Sequence, residues 1–398
     1  MIAHVDADAF FASALQRKYP KLRGKPLLAL GMGGGCVIAA SYEAKAFGVK
    51  TGMPLADARK LCPQALSMPS DFDEALLASQ QIESVLRDQC PIVEQMSVDE
   101  WYLDLQSLQG GVPSDLQKWG KDTQADVLRK TGLTVSIGVG TSKLLAKMAG
   151  EYKKPAGVTV LENTLVHIEK FLRDRPAEAI PGIGRKRSLH TQSHGWRTAW
   201  DIAIANPESI VHLFGRPGHD LQRELLGEMV EKVEEDTRPP KSISRCRSFR
   251  GTNDRELVFA QLLHHLTYTL LKMRRQDLAC THVAVWLRTG DYEHYGKDIR
   301  LPQPLDTEEQ LLPYILQCFR RLYNERQRYT QVGFALTGLV PRGAAQYSLF
   351  EDTQKVNEGE EMQKALDTLH DRFGREIVKR GSAMAIKTDQ RKKLSIVN

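Results

Sequence analysis

Two short acidic runs, each at the end of an apolar strand pattern, constrain the fold of this chain more than anything else in it. Ile2, Ala3 and Val5 lead into Asp6, which is followed by Ala7, Asp8, Ala9, Phe10 and Phe11; much later Ser97-Val98-Asp99-Glu100 runs into Trp101, Tyr102 and Leu103. Asp and Glu are poor strand formers and costly to bury unpaired, so carboxylates placed at the ends of core strands call for a fixed cation. Oxygen ligands of this kind suit Mg²⁺, which shares its shell with water and substrate phosphates. A polar hairpin turn would use the same four residues at 97–100, and the stretch alone leaves both readings open.

The 398 residues are enough for about two to four domains with a buried core. No stretch approaches the ~20 apolar residues of a membrane span, and the N-terminus lacks a basic lead followed by an apolar segment, so a cytoplasmic protein without a membrane partner is expected. Cys36, Cys62, Cys90, Cys246, Cys280 and Cys318 are scattered without a CxxC pair, which points to core fillers rather than a disulfide framework or zinc site. Residues 241–345 hold sixteen Lys and Arg against ten Asp and Glu, so this segment carries the whole net charge of +6. A cation excess confined to one segment is the footprint of polyanion binding, although any single residue in it also fits a solvated surface.

Apolar spacing predicts strands at 1–10, 27–30 and 37–40, a glycine-rich turn at 31–35, and a short helix from Ser41 that stops at Gly48. The glycine turn carries neither the Walker nor the Rossmann pattern. Tyr42 and Lys45 lie on one face of the short helix, where they could grip a phosphate together or be a solvated pair. Helices at 73–88 and 116–129, with strands around Ile92, at 101–105 and at 133–139, complete the order of a split βαβ sheet with residues 11 to about 71 inserted after the first strand. In that sheet the carboxylates of Asp6, Asp99 and Glu100 converge. A helix at 141–148 presents Lys143 and Lys147 on one face, and Lys153-Lys154-Pro155-Ala156-Gly157 sets a lysine on a constrained loop. Pro181-Gly182-Ile183-Gly184 opens a basic helix at Arg185 and Lys186 in the manner of a helix-hairpin-helix, whose free backbone N–H groups can hold a phosphate. After a charged linker ending in Pro239-Pro240, period-two alternation places Lys241, Arg245 and Arg247 on one strand face. A helix at 256–275, a strand at 281–288, a helix at 308–324 and a strand at 331–339 make a small α+β domain. Beyond Pro341 the chain is polar apart from Gln346-Tyr347-Ser348-Leu349-Phe350.

In this order VDADAFFAS (Val5–Ser13), SYEAKAFGVKTGMP (Ser41–Pro54), SVDEWYLDL (Ser97–Leu105), SIGVGTSKLLAKMA (Ser136–Ala149), KKPAG (Lys153–Gly157) and PGIG (Pro181–Gly184) resemble the Y-family of DNA polymerases, over residues 1 to about 340. Gly35–Gly52 and Ser244–Phe249 look closer to the bacterial DNA polymerase V catalytic subunit; Tyr42 and the SVDE stretch are also compatible with DNA polymerase IV.

The resemblance implies an α+β multidomain right hand: a split βαβ, ferredoxin-like palm (1–10 and 72–165), small fingers (11–71), a helical thumb with a helix-hairpin-helix (166–232), a linker (233–243), an α+β little finger (244–340) and a tail with a clamp-binding peptide (341–398). It implies template-directed, error-prone synthesis opposite damaged bases, in which two Mg²⁺ ions, or Mn²⁺ in their place, polarise the primer hydroxyl and stabilise the leaving pyrophosphate. By motif position Asp6, Asp99 and Glu100 are the catalytic, metal-binding carboxylates, and Ala7 lends its carbonyl. Phe11 is the steric gate against a ribose 2′-hydroxyl. Phe10, Phe11, Tyr42, Lys45 and Lys154 hold the nucleotide, while Gly182, Gly184, Arg185, Lys186, Lys241, Arg245 and Arg247 hold DNA. Gln346, Leu349 and Phe350 dock on the bacterial sliding clamp. Primer-template DNA and deoxyribonucleoside triphosphates are the implied substrates, with a recombinase filament or a small accessory subunit as further partners. Lys45 in place of arginine, Trp101 after the acidic pair and Ala39 in place of a hydroxyl depart from the family pattern, so the nucleotide pocket is expected to be shaped differently. Two rival readings stand beside this one. An inactive DNA-binding accessory protein should lack one of the three carboxylates, all of which are present; a two-metal nuclease or cyclase would not need the hairpin at Pro181 or the basic C-terminal segment.

Overall fold

The structure is a computed structural model that describes residues 1–31, 33–235, 239–342, 353–373 and 378. The chain divides into two units, Met1–Thr237 and Arg238–Asn398.

The first unit contains β1 (Ile2–Ala7), α1 (Phe10–Lys18), β2 (Leu27–Leu30), β3 (Val37–Ala40), α2 (Tyr42–Lys45), α3 (Leu55–Leu61), β4 (Leu66–Pro69), α4 (Phe72–Gln89), β5 (Val93–Gln95), β6 (Glu100–Asp104), α5 (Leu116–Thr131), β7 (Val135–Gly140), α6 (Lys143–Tyr152) and β8 (Val158–Val160). It closes with the helical stretch α7 (Leu165–Arg173), α8 (Arg185–Ser193), α9 (Ala199–Ala203), α10 (Pro207–Phe214) and α11 (Arg216–Leu225). Its main sheet runs β5-β6-β1-β7-β8, with β1 central and antiparallel to both neighbours. Alternation sends Ala3, Val5, Trp101, Leu103, Val135, Ile137 and Val139 into one core against α4 and α5, and leaves His4, Asp6, Glu100 and Tyr102 on the other face. There α6 packs across β1 and β7. This approach requires glycine: a Cβ on Gly138 would lie 2.1 Å from the Ala146 carbonyl oxygen and the Gly150 nitrogen. A second sheet, β3-β2-β4, carries its own small core of Leu28, Val37, Ala40, Ala44 and Val49.

The second unit contains β9 (Ser242–Thr252), α12 (Arg255–Arg274), β10 (Leu278–Thr289), β11 (His294–Leu305), α13 (Glu308–Leu322), β12 (Tyr329–Pro341) and α14 (Thr353–Phe373). Its sheet is β11-β10-β12-β9, with α12 and α13 covering the face formed by Ile243, Val283, Val285, Leu287, Val332, Phe334 and Leu336. Strand β11 is not found by sequence spacing, and neither is α14, although Met362, Leu366, Leu369 and Phe373 recur in it at helical spacing. α14 is joined to the unit by Arg274, whose Nε and Nη2 donate to the Asp367 carboxylate at 2.7 and 2.6 Å.

One expectation changes: of the six cysteines, all free, Cys36 and Cys246 are exposed rather than core. Among the described residues, no helix is long and apolar enough to cross a membrane.

Candidate active site

The site forms where β1 ends beside the hairpin that starts β6. Asp6 and Glu100 are direct cross-strand partners, and the Ala7 N–H donates to the Asp99 carbonyl at 2.9 Å. The strand register therefore brings together Asp6 and Glu100, two of the three carboxylates expected to converge. His4, two residues before Asp6 on the same face, completes a group with Asp6 and Glu100 whose ligand atoms lie within 4.8 Å of one another. The Asp99 carboxylate is outside that group and accepts from Ser97 Oγ at 2.6 Å.

Two lysines bring positive charge to these acids. Lys154 Nζ sits 2.6 Å from Asp6 Oδ1 and 2.7 Å from Glu151, and Lys147, from α6, contacts Glu100 directly. Burial nevertheless outweighs Lys154 at Asp6 and pushes its carboxyl up to about 7. Glu100 moves the other way, down to about 2, held by the His4 imidazole beneath it and by Lys147. His4 Nε2 is 3.7 Å from Glu100 Oε1, beyond a hydrogen bond, so the touching ammonium is the firmer hold. Complete burial lowers the pKa of His4 itself.

Asp8, absent from the sequence-derived site, is the knot behind this arrangement. It is 2% exposed and accepts from Ser136 Oγ at 2.7 Å, the Ala156 N–H at 2.9 Å and the Tyr42 hydroxyl at 3.3 Å. One carboxylate thus ties β7, the 153–157 loop and α2 to the end of β1. The signal was present as the second acid of Asp6-Ala7-Asp8, but only the fold supplies its three donors. His4 and Lys147 were missed for the same reason. Lys45 Nζ lies 4.3 Å from the centre of the Tyr42 ring, and its pKa falls through burial and through the nearby Lys154 charge. Lys154 moves the other way: burial is outweighed by its ion pairs with Asp6 and Glu151, which raise its pKa.

Phe11 is half-buried, its ring centroid 5.5 Å from Phe10 and 5.5 Å from Phe72. Phe10, expected on the nucleotide, is only 2% exposed and packs in the core with Phe11 beside it. Trp101 is fully buried on the opposite sheet face from Asp6, and Ala39 lies in the small core under α1, so neither departure lines the acidic site.

Gly182 has φ 91° and is exposed, as are Gly184, Arg185 and Lys186, while Ile183 anchors the turn in the core. In β9 the alternation is as expected but the open face is the other one. Arg245 and Arg247 share the side of buried Ile243, and the Arg245 guanidinium lies 5.2 Å from the Tyr268 ring of α12. Ser244, Cys246, Ser248 and Arg250 occupy the uncovered side, and Lys241 precedes the strand. Gln346, Leu349 and Phe350 lie outside the described residues.

The profile of the impB/mucB/samB family matches residues 5–151 and that of its C-terminal domain residues 240–349. The chain belongs to that family and is thereby a DNA-directed DNA polymerase of the Y-family translesion class. It is 31% identical to DNA polymerase IV of Moorella thermoacetica over 392 residues, covering 95% of both chains. It is 29% identical to Protein SamB of Salmonella typhimurium over 384 residues, 93% of this chain and 90% of that one. Among solved structures, a Y-family DNA polymerase chimera of Dbh and Dpo4 superposes with a TM-score of 0.75 at 24% identity, over 86% of this chain and 99% of the other.

Proposed function

We propose that the chain adds deoxyribonucleotides to a primer opposite damaged template bases, with Asp6, Asp99 and Glu100 holding two divalent cations. The observation that carries this reading is the in-register pair Asp6 and Glu100, two carboxylates with a charge demand only partly met by Lys154 and Lys147. The oxygen donor set fits Mg²⁺, and Mn²⁺ would also be accepted. Bound there, the ions supply Lewis acidity to the primer hydroxyl and to the leaving phosphate. The protein's own share is placement. Tyr42, Lys45 and Lys154 receive the triphosphate, the Ala7 carbonyl lends an oxygen to the cations, and the Phe11 ring takes the space a ribose 2′-hydroxyl would need.

Arg185 and Lys186, with the Gly182 and Gly184 backbone, grip duplex phosphates without reading sequence. Strand β9 is the edge of its sheet, so Lys241, Arg245 and Arg247 reach a phosphate from that edge rather than across an open face. The peptide at 346–350 docks on a sliding clamp, raising the polymerase's effective concentration at the primer end; clamp stimulation should be lost in Leu349→Ala/Phe350→Ala.

Primer extension on intact and damaged templates tests the whole reading. Asp99→Ala should abolish extension while DNA affinity stays within about twofold, because the basic segment supplies the affinity. Normal extension by that variant would refute the assignment.

A further inference from the structure

A cavity of about 690 Å³ opens in the second unit between the start of α12, the end of α13 and the beginning of β11. Three arginines line it: Arg255, Arg320 and Arg321. All three are exposed, and among the described residues none has a carboxylate within ion-pair distance. The one acid in the lining is Glu325, which leaves a local charge of about +2. Helix electrostatics account for part of this. Arg320 and Arg321 sit in the last turn of α13, where cations complement the carbonyl end. Arg255 is the opposite case, a cation at the amino end of α12, where the dipole disfavours it. Its own helix therefore does not account for its place beside Arg320 and Arg321.

Two of the remaining lining residues, Tyr295 and Tyr323, are aromatic. The Tyr295 hydroxyl donates to Glu293 at 2.6 Å and accepts from Gln327 Nε2 at 3.0 Å. The Tyr323 hydroxyl donates to the Asn253 carbonyl, and its ring is 5.4 Å from that of Phe319. Both hydroxyls are already engaged, and the Tyr323 ring is flanked by Phe319 and, at 5.6 Å, by Tyr329, so the ring the cavity offers for stacking is that of Tyr295. Guanidinium groups for phosphates and a fixed ring for stacking together describe a nucleotide unit. The volume is that of a small-ligand pocket, too small for duplex. Three guanidiniums also exceed what one phosphate needs.

We propose that this cavity binds single-stranded nucleic acid, one or two nucleotides at a time. The inference deepens the polymerase reading by assigning a place for unpaired strand. It rests on that reading only for the identity of the strand.

The test is fluorescence anisotropy of the full chain with labelled oligothymidylate, without metal or nucleotide. Arg320→Ala/Arg321→Ala should weaken binding about tenfold and reduce the salt slope by about 1.4, two contacts at about 0.7 each. Tyr295→Ala should weaken it about fivefold, whereas Tyr295→Phe should bind like the parent because the hydroxyl is turned to Glu293. Parental affinity and slope in the arginine variant would overturn the proposal. So would an equal loss for blunt duplex, which would make the site a general phosphate surface, or competition by free thymidine triphosphate at the oligonucleotide's own concentration, which would make it a mononucleotide site. Failure of the parent to extend primers would sink the polymerase reading and leave these binding results standing.

Discussion

At the scale of single residues, the acidic site stores its own opposition. The Asp6 carboxyl is held up at about 7, against an unfolded value near 3.8, so the folded protein keeps a proton that the unfolded chain releases. Its contribution to stability is complete below the unfolded pKa and is lost as pH rises through about 7. Asp6→Asn should remove that loss: denaturant melts of metal-free protein at pH 5 and pH 8 should show the parent falling behind the variant by roughly 2 to 3 kcal/mol, because about two pH units of the shift lie in that window. The same proton must leave before a cation binds, so Mn²⁺ affinity, read by electron paramagnetic resonance, should rise about tenfold per pH unit up to about 7. Phe11 allows a second residue-scale prediction. Phe11→Ala should lower discrimination against ribonucleotides at least about tenfold in single-turnover incorporation, and Phe72→Ala should lower it less, since Phe72 only supports the ring.

Among the elements, α6 is the one whose seating decides the site. It carries Lys143, which meets Glu94 at 2.7 Å, and one turn later Lys147, which meets Glu100. Helix periodicity in the sequence puts the two lysines on one face, but the acids they meet come from β5 and β6. Seating depends on Gly138, where a side chain would strike backbone at 2.1 Å. Gly138→Ala should therefore destabilise the first unit by about 3 kcal/mol, checked by urea denaturation, and should also lower metal affinity by moving Lys147. Strand β9 shows the limit of pattern reading at this scale. Period-two alternation groups Arg245 with Arg247 but is silent about which parity is covered; burial of Ile243 on the same side decides it.

For the whole molecule, the separate cores of the two units lead to a thermodynamic expectation. The first unit closes around Val5, Trp101 and Ile137, the second around Val258, Val283 and Phe334, and the clusters share no residue. Scanning calorimetry should resolve two transitions, and Gly138→Ala should shift one of them and leave the other in place. A single transition displaced as a whole would show that the units unfold together.

The amino-acid sequence alone was sufficient for the class of the protein and for the meeting of Asp6 with Glu100. Acids at strand ends, apolar alternation and the order of helices and strands are local patterns, and local patterns survive translation into a fold. Phe10 and Phe11 mark where that sufficiency ends: adjacent and chemically identical, they are separated by packing into a fully buried core residue and a half-buried one. Trp101, suspected of reshaping the pocket, faces away because residues 100 and 101 alternate across the sheet. Asp8 collects donors from Tyr42, Ser136 and Ala156, residues distant in the chain, and Arg255 meets Arg320 and Arg321 only around a cavity closed by three elements. Such groupings depend on long-range register and on which face a helix covers, and these are properties of packing that no single stretch encodes.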